Sequence, residues 1–216
     1  MPEHRTRVKV CGLRTRGSVN AVSDGVDYVG FNFWSKSRRF IAPADAGRLA
    51  GNLPRHIQVV ALFVDPKRSE VEKVLDEMAV DLLQFHGSES ATFCHGFGVP
   101  FMKAIRLQNE RSIDQMGEFL SAPDNYILVD TYVAGTYGGT GHPVSLKLAA
   151  TARSRYPEAR LFLAGGLDSQ TVGPAISHVS PYAVDVASSV ERSPGDKSSA
   201  RVRSFVRAVQ DADGAL

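Results

Sequence analysis

Eight short apolar runs recur along this chain: VKVCG (8–12), YVGFNF (28–33), VVALFV (59–64), DLLQFH (81–86), FMKAI (101–105), YILVD (126–130), LFLAG (161–165) and AVDVA (183–187). Rich in Val, Ile and Phe and bounded by turn residues, they read as strands. Between them lie segments with helical periodicity or helix-start signals. PADAGRLAGNL carries Pro43 at a first-turn position, SEVEKVLDEM has Ser69 as its expected N-cap, and DSQTVGPAI is opened by Asp168. The stretch from about Lys197 to Val209 reads as a closing helix. Strands that are apolar almost throughout, joined by crossovers that each contain a helix, require a parallel sheet covered on both faces. Eight such units in 216 residues approach the shortest length a closed barrel allows. They favour an α/β fold of the (β/α)8 TIM barrel type over an open doubly wound sheet. No linker, charge block or low-complexity tract intervenes, so residues 1–216 are expected to form a single domain.

Composition removes several classes of function. Lys and Arg number 25 against 23 Asp and Glu, so no strong field invites nucleic acid or an anionic membrane. Cys11 and Cys94 are the only cysteines. They make no disulfide framework, and neither has CxxC or Cys/His spacing, so no metal site is expected. The N-terminus runs charged directly into an apolar strand, without the long apolar segment of a signal peptide or spanning helix. The expectation is a soluble, reduced, cytoplasmic protein.

Barrel strands alternate between the interior and the helix layer, so a period-two reading sorts each strand into two faces. In the first strand Val8 and Val10 suit the helix layer, leaving Lys9 and Cys11 inward. In the fourth, Leu83 and Phe85 point outward, Gln84 and His86 inward. In the sixth, Ile127 and Val129 leave Tyr126, Leu128 and Asp130 inward, and in the eighth Val184 and Val186 leave Asp185 inward. Each polar residue alone has a plain structural meaning. A cysteine at a strand end is often a small buried hydrophobe, an aspartate there caps a turn, and Lys9, Lys103 and Asp185 could satisfy one another. Jointly they are harder to dismiss. Burying unpaired charge costs on the order of several kcal/mol, and barrel enzymes build their sites at the carboxyl ends of the strands. Cys11 stands one pleat above Lys9, a cation that favours its thiolate. Cys94 has no such neighbour in sequence and reads as structural.

Two loops carry glycine or small residues. LAGGLDSQTV places Gly165 and Gly166 after the seventh strand, and Ser188 and Ser189 follow the eighth. Small residues there let backbone N–H groups approach a phosphate closely. The stretch DTYVAGTYGGTGHP lacks the GK[ST] ending of a nucleotide-binding loop and reads instead as a lid over the neighbouring Asp130.

The ordered set VKVCGL, GFNFWSKSRRFIAP, ALFVD, LLQFHGSES, MKAIRL, ILVDTYVAGTYGGTGH, LFLAGGL and AVDVASSVERSPGDKS resembles phosphoribosylanthranilate isomerase of tryptophan biosynthesis along nearly the whole chain. The resemblance implies a (β/α)8 barrel that performs a cofactor-free, metal-free Amadori rearrangement of a small phosphorylated substrate, with no obligate protein partner. By position it makes Cys11 the general base, Asp130 the general acid and Arg39 the receiver of the anthranilate carboxylate. It matches Gly165, Gly166, Ser188 and Ser189 to the phosphate loops, and the inward-facing Lys9, Gln84, His86 and Asp185 are expected to meet the substrate. Ser189 stands where the family pattern has glycine; a positive φ there would strain it. Two other functions compete. The aminoimidazole ribonucleotide isomerase of histidine biosynthesis has a similar fold and reaction but uses two aspartates, which Cys11 argues against. A barrel that binds a phosphosugar without turnover is the third reading.

Overall fold

The computed structural model describes residues 5–22, 25–120, 126–131 and 145–215. The glycine-rich stretch expected to act as a lid, from residue 132 through His142, lies outside the described residues. All eight expected strands form, each within about two residues of its expected ends. They are β1 (Arg7–Cys11), β2 (Tyr28–Asn32), β3 (Gln58–Phe63), β4 (Leu82–Phe85), β5 (Phe101–Leu107), β6 (Tyr126–Thr131), β7 (Arg160–Leu163) and β8 (Ala183–Val186). Each pairs in parallel with the next, and β8 returns to β1 with Lys9 opposite Asp185, closing the barrel. Closure leaves no edge strand, which removes the open-sheet alternative.

The helices are α1 (Arg16–Ala21), α2 (Pro43–Ala50), α3 (Arg68–Glu77), α4 (Ala91–Cys94), α5 (Glu110–Asp114), α6 (Leu146–Arg155), α7 (Val172–Val179) and α8 (Ser199–Asp213). Pro43 opens α2 as expected, because its missing N–H is one the first turn leaves unpaired. Two other starts differ from expectation. Lys67, not Ser69, is the N-cap of α3: the Glu70 carboxylate reaches back to accept the Lys67 N–H at 2.7 Å, leaving Ser69 inside the first turn. Asp168 does not open α7 but folds the turn before it, accepting the N–H groups of Gln170 and Thr171 at 2.8 and 2.9 Å. The last helix runs on past Val209, and its Asp213 accepts the backbone N–H of Thr6 at 2.9 Å and its hydroxyl at 2.7 Å. This pins the end of the chain to the entry of β1. A small antiparallel hairpin, β9 (Glu191–Ser193) with β10 (Asp196–Lys197), follows β8 and had no sequence signal.

The strand faces divide as the alternation requires. Val8, Val10, Leu83, Phe85, Ile127, Val129, Val184 and Val186 join the core between sheet and helices. Inside the barrel, Tyr28, Val60, Leu82, Met102, Leu128 and Phe162 pack together, the Tyr28 and Phe162 rings edge to face at 5.1 Å. Lys103 breaks the expected grouping of interior charges. It lies on the outer face of β5, where its ammonium sits 2.7 Å from the buried Glu89 carboxylate and also bonds the Gly87 carbonyl. Among the described residues no helix is long and apolar enough to cross a membrane.

Candidate active site

At the carboxyl end of the strands lies a cavity of about 260 Å³. The polar and glycine part of its lining comes from six strands or the loops that follow them: Cys11, Arg39, Gln84 with His86, Asp130, Gly165 with Gly166, and Asp185 with Ser188. Trp34, Leu62, Val64 and Ala164 supply apolar wall. The thiol from β1 and the carboxyl from β6, 119 positions apart in sequence (130 − 11), therefore share one chamber. Glycine on the neighbouring strand makes room for the thiol: a Cβ on Gly30 would stand 2.8 Å from Cys11 Sγ.

Lys9 and Ser189 do not line the cavity. Lys9 is fully buried beneath it, its ammonium 2.7 Å from Asp185, so its place is to support Asp185 rather than to touch a ligand. Ser189 donates its hydroxyl to the Leu167 carbonyl at 2.6 Å, tying the loop after β8 to the loop after β7. Among the described residues, positive φ at non-glycine positions occurs at Asp65 and Ser180, so Ser189 carries no backbone strain of that kind. Gly165 and Gly166 do adopt positive φ, 97° and 67°, which an L side chain resists.

The thiol is tuned in a direction opposite to the simple expectation. Burial pushes the Cys11 thiol up; Lys9 and Lys197 pull it down, but Asp185 opposes them and burial prevails. Lys9 is thus shared, its charge offset by its own ion-pair partner. Burial also pushes Cys94 up, to about 12, although Lys103 is close enough to oppose it.

Gln84 and His86 form a buried pair, with Gln84 Nε2 3.1 Å from His86 Nδ1. An amide nitrogen only donates, so Nδ1 accepts and the neutral ring carries its proton on Nε2. That nitrogen lies 3.4 Å from Asp130 Oδ2. Neither His86 Nε2 nor Gln84 Oε1 has a hydrogen-bond partner among the described residues, and both are buried. Two buried polar atoms left in this way favour a ligand that brings hydroxyls.

Arg39 reaches the cavity over Gly12, whose φ is 84° and where a Cβ would fall 2.4 Å from Arg39 Cδ. Its guanidinium is gripped on one edge by Glu191, Nε to Oε1 at 2.9 Å and Nη2 to Oε2 at 2.8 Å. The same carboxylate receives the ammonium of Lys197 at 2.8 Å and the Gly195 N–H at 3.0 Å. Neither Glu191 nor Lys197 is among the site residues expected from sequence: Glu191 opens the polar stretch ERSPGD, and Lys197 reads as the start of the closing helix.

The same architecture is found in known proteins. A model of the N-(5'-phosphoribosyl)anthranilate (PRA) isomerase family matches residues 8–208. The chain belongs to this isomerase family. An N-(5'-phosphoribosyl)anthranilate isomerase of Bordetella petrii is 41% identical, covering 98% of this chain and 98% of its own. That of Ralstonia nicotianae is 40% identical over 100% of this chain and 97% of its own. The crystal structure of the isomerase from Thermotoga maritima superposes with a TM-score of 0.84 at 33% identity, over 95% of this chain and 99% of that one. A further isomerase structure, 29% identical with a TM-score of 0.78 over 95% of this chain and 99% of that one, was solved with reduced 1-(o-carboxyphenylamino)-1-deoxyribulose 5-phosphate. Membership of the PRA isomerase family makes this chain an enzyme, an intramolecular oxidoreductase of the aldose–ketose kind.

Proposed function

We propose that this chain converts N-(5'-phosphoribosyl)anthranilate into 1-(2-carboxyphenylamino)-1-deoxyribulose 5-phosphate, the Amadori rearrangement of tryptophan biosynthesis. One observation carries the reading: Cys11 from β1 and Asp130 from β6, three strands apart around the barrel, line the same cavity as Arg39 and the glycine loop at Gly165 and Gly166. A thiol, a carboxyl, a carboxylate receiver and an anion cradle are what this substrate needs in one place.

Asp130, as general acid, delivers a proton to the ribose ring oxygen and the ring opens to a Schiff base. Cys11, as thiolate, takes the proton from C2, giving an enolamine that tautomerises to the ketone. His86 Nε2–H and Gln84 Oε1, buried with no hydrogen-bond partner among the described residues, meet the sugar hydroxyls, and Asp185, braced by Lys9, serves the same end. Gly165, Gly166 and Ser188 present backbone N–H groups to the phosphate, with Ser189 bracing the loop. Arg39 keeps its Nη1 edge for the anthranilate carboxylate while Glu191 holds the other edge. The reading takes residues 1–216 as one barrel domain in the cytoplasm, acting on a small molecule without cofactor.

Purified protein added to phosphoribosylanthranilate tests this directly. Its fluorescence should decay with first-order dependence on enzyme. Binding without decay would replace the reading with a non-catalytic barrel, and turnover of only the aminoimidazole substrate with the histidine-pathway reaction.

A further inference from the structure

Lys197 is a fully buried ammonium that the proposed chemistry does not use. It stands at a junction. Besides Glu191 Oε1 at 2.8 Å it donates to the Ala187 carbonyl at 3.1 Å and to the Cys11 carbonyl at the end of β1. Its own N–H is held by Ser18 Oγ at 3.0 Å. Glu191 is also buried, and accepts from Lys197, the Gly195 N–H and two donors of Arg39. Burial disfavours the Glu191 charge, but the Arg39 and Lys197 donors more than offset this and hold its carboxyl below the ordinary carboxylate range. For Arg39, Glu191 is the side-chain anchor among the described residues, since Gly12 gives it passage without gripping it.

A guanidinium on a flexible stem loses rotamer freedom when it must present one edge to a carboxylate. A bidentate partner on the other edge removes that freedom in advance. From this arrangement we infer that Glu191, fixed in place by Lys197, is a positioning residue for Arg39 that aims its remaining Nη edge at the ring carboxylate of the substrate. The inference rests on the proposed reaction, since it assigns Arg39 the carboxylate. It also explains why the hairpin β9–β10 exists: it delivers a buried carboxylate and a buried ammonium to the back of the site.

The test separates the two layers. Wild-type turnover and a large KM rise in Arg39→Met check the reaction and the arginine. Glu191→Gln then checks the inference: the amide keeps the shape but sets an NH2 against a donor of Arg39 or Lys197. The expected result is a fall in kcat/KM on the order of 10²-fold, carried by KM with kcat nearly kept, because an interaction equal in ground and transition states is lost. The loss should shrink to within about twofold in the Arg39→Met background, since the two act through one contact. It should shrink equally on a substrate lacking the ring carboxylate. A loss smaller than about tenfold, or one that persists undiminished in the Arg39→Met background or on the carboxylate-free substrate, overturns the inference. If Glu191→Gln does not fold, Glu191→Asp, which keeps the charge but withdraws it, is read by the same criteria.

Discussion

Below the mouth, the barrel interior is filled by Tyr28, Val60, Leu82, Met102, Leu128 and Phe162. At the mouth stand Cys11 on β1, Gln84 and His86 on and just after β4, Asp130 on β6 and Asp185 on β8. The lower layer is hydrocarbon and aromatic rings packed against each other, whereas the upper layer buries polar atoms of which two have no hydrogen-bond partner among the described residues. A chain gains nothing in stability from the second arrangement. The contrast therefore predicts a separation of effects: damage below should cost folding, and damage above should cost chemistry.

The largest effects test both halves at once. Cys11→Ala and Asp130→Asn should each lower kcat by on the order of 10²- to 10⁴-fold while leaving thermal unfolding almost unchanged. Phe162→Ala should do the reverse, removing a fully buried ring and costing about 3–5 kcal/mol in urea unfolding with kcat largely retained in the folded fraction. An Asp130→Asn variant that loses stability like a core truncation would merge the two layers and sink the distinction.

Next in size is the pH dependence, which sharpens the upper half. Burial raises the Cys11 thiol, so the resting thiol is neutral at physiological pH and its thiolate fraction climbs about tenfold per pH unit below its pKa. If the thiolate is the base, kcat/KM should rise on that slope from neutral pH into the alkaline range. The residual rate of Cys11→Ala should lack it. A flat wild-type profile between pH 7 and 9 would mean either a thiol already ionised or a different base.

The same contrast explains what the sequence could and could not carry. Strand parity was legible wherever polar residues interrupt an apolar run, as in VKVCG, DLLQFH and AVDVA, because a buried face tolerates them only for a reason. FMKAI gave no such handle: four apolar residues surround one lysine, and the structure sends Lys103 outward, with Phe101 and Ile105, to meet Glu89. Glu191 was invisible for a different reason. Its partner Arg39 is 152 positions away, and no local period marks a loop glutamate as buried. The thiol's direction was misjudged because neighbour identity was read without burial. Lys9 was in plain view, but the burial of the thiol, with Asp185 across the strand pair adding to it, outweighs it.

The smallest effect probes the seam between the loops after β7 and β8. Ser189 donates to the Leu167 carbonyl at 2.6 Å, so Ser189→Ala should cost about 1 kcal/mol, or roughly 2–4 °C in Tm for a chain of this size. Glycine at this position distinguishes a conformational requirement from a hydrogen bond. Were a positive φ demanded there, Ser189→Gly would relieve strain and raise Tm. The backbone at Ser189 is not of that kind, so glycine removes the hydroxyl and adds chain freedom to the unfolded state as well. Ser189→Gly should therefore fall below Ser189→Ala, by a further ~0.5–1 kcal/mol. A glycine variant more stable than the wild type would show that the loop prefers another conformation than the one in which serine bridges it to β7.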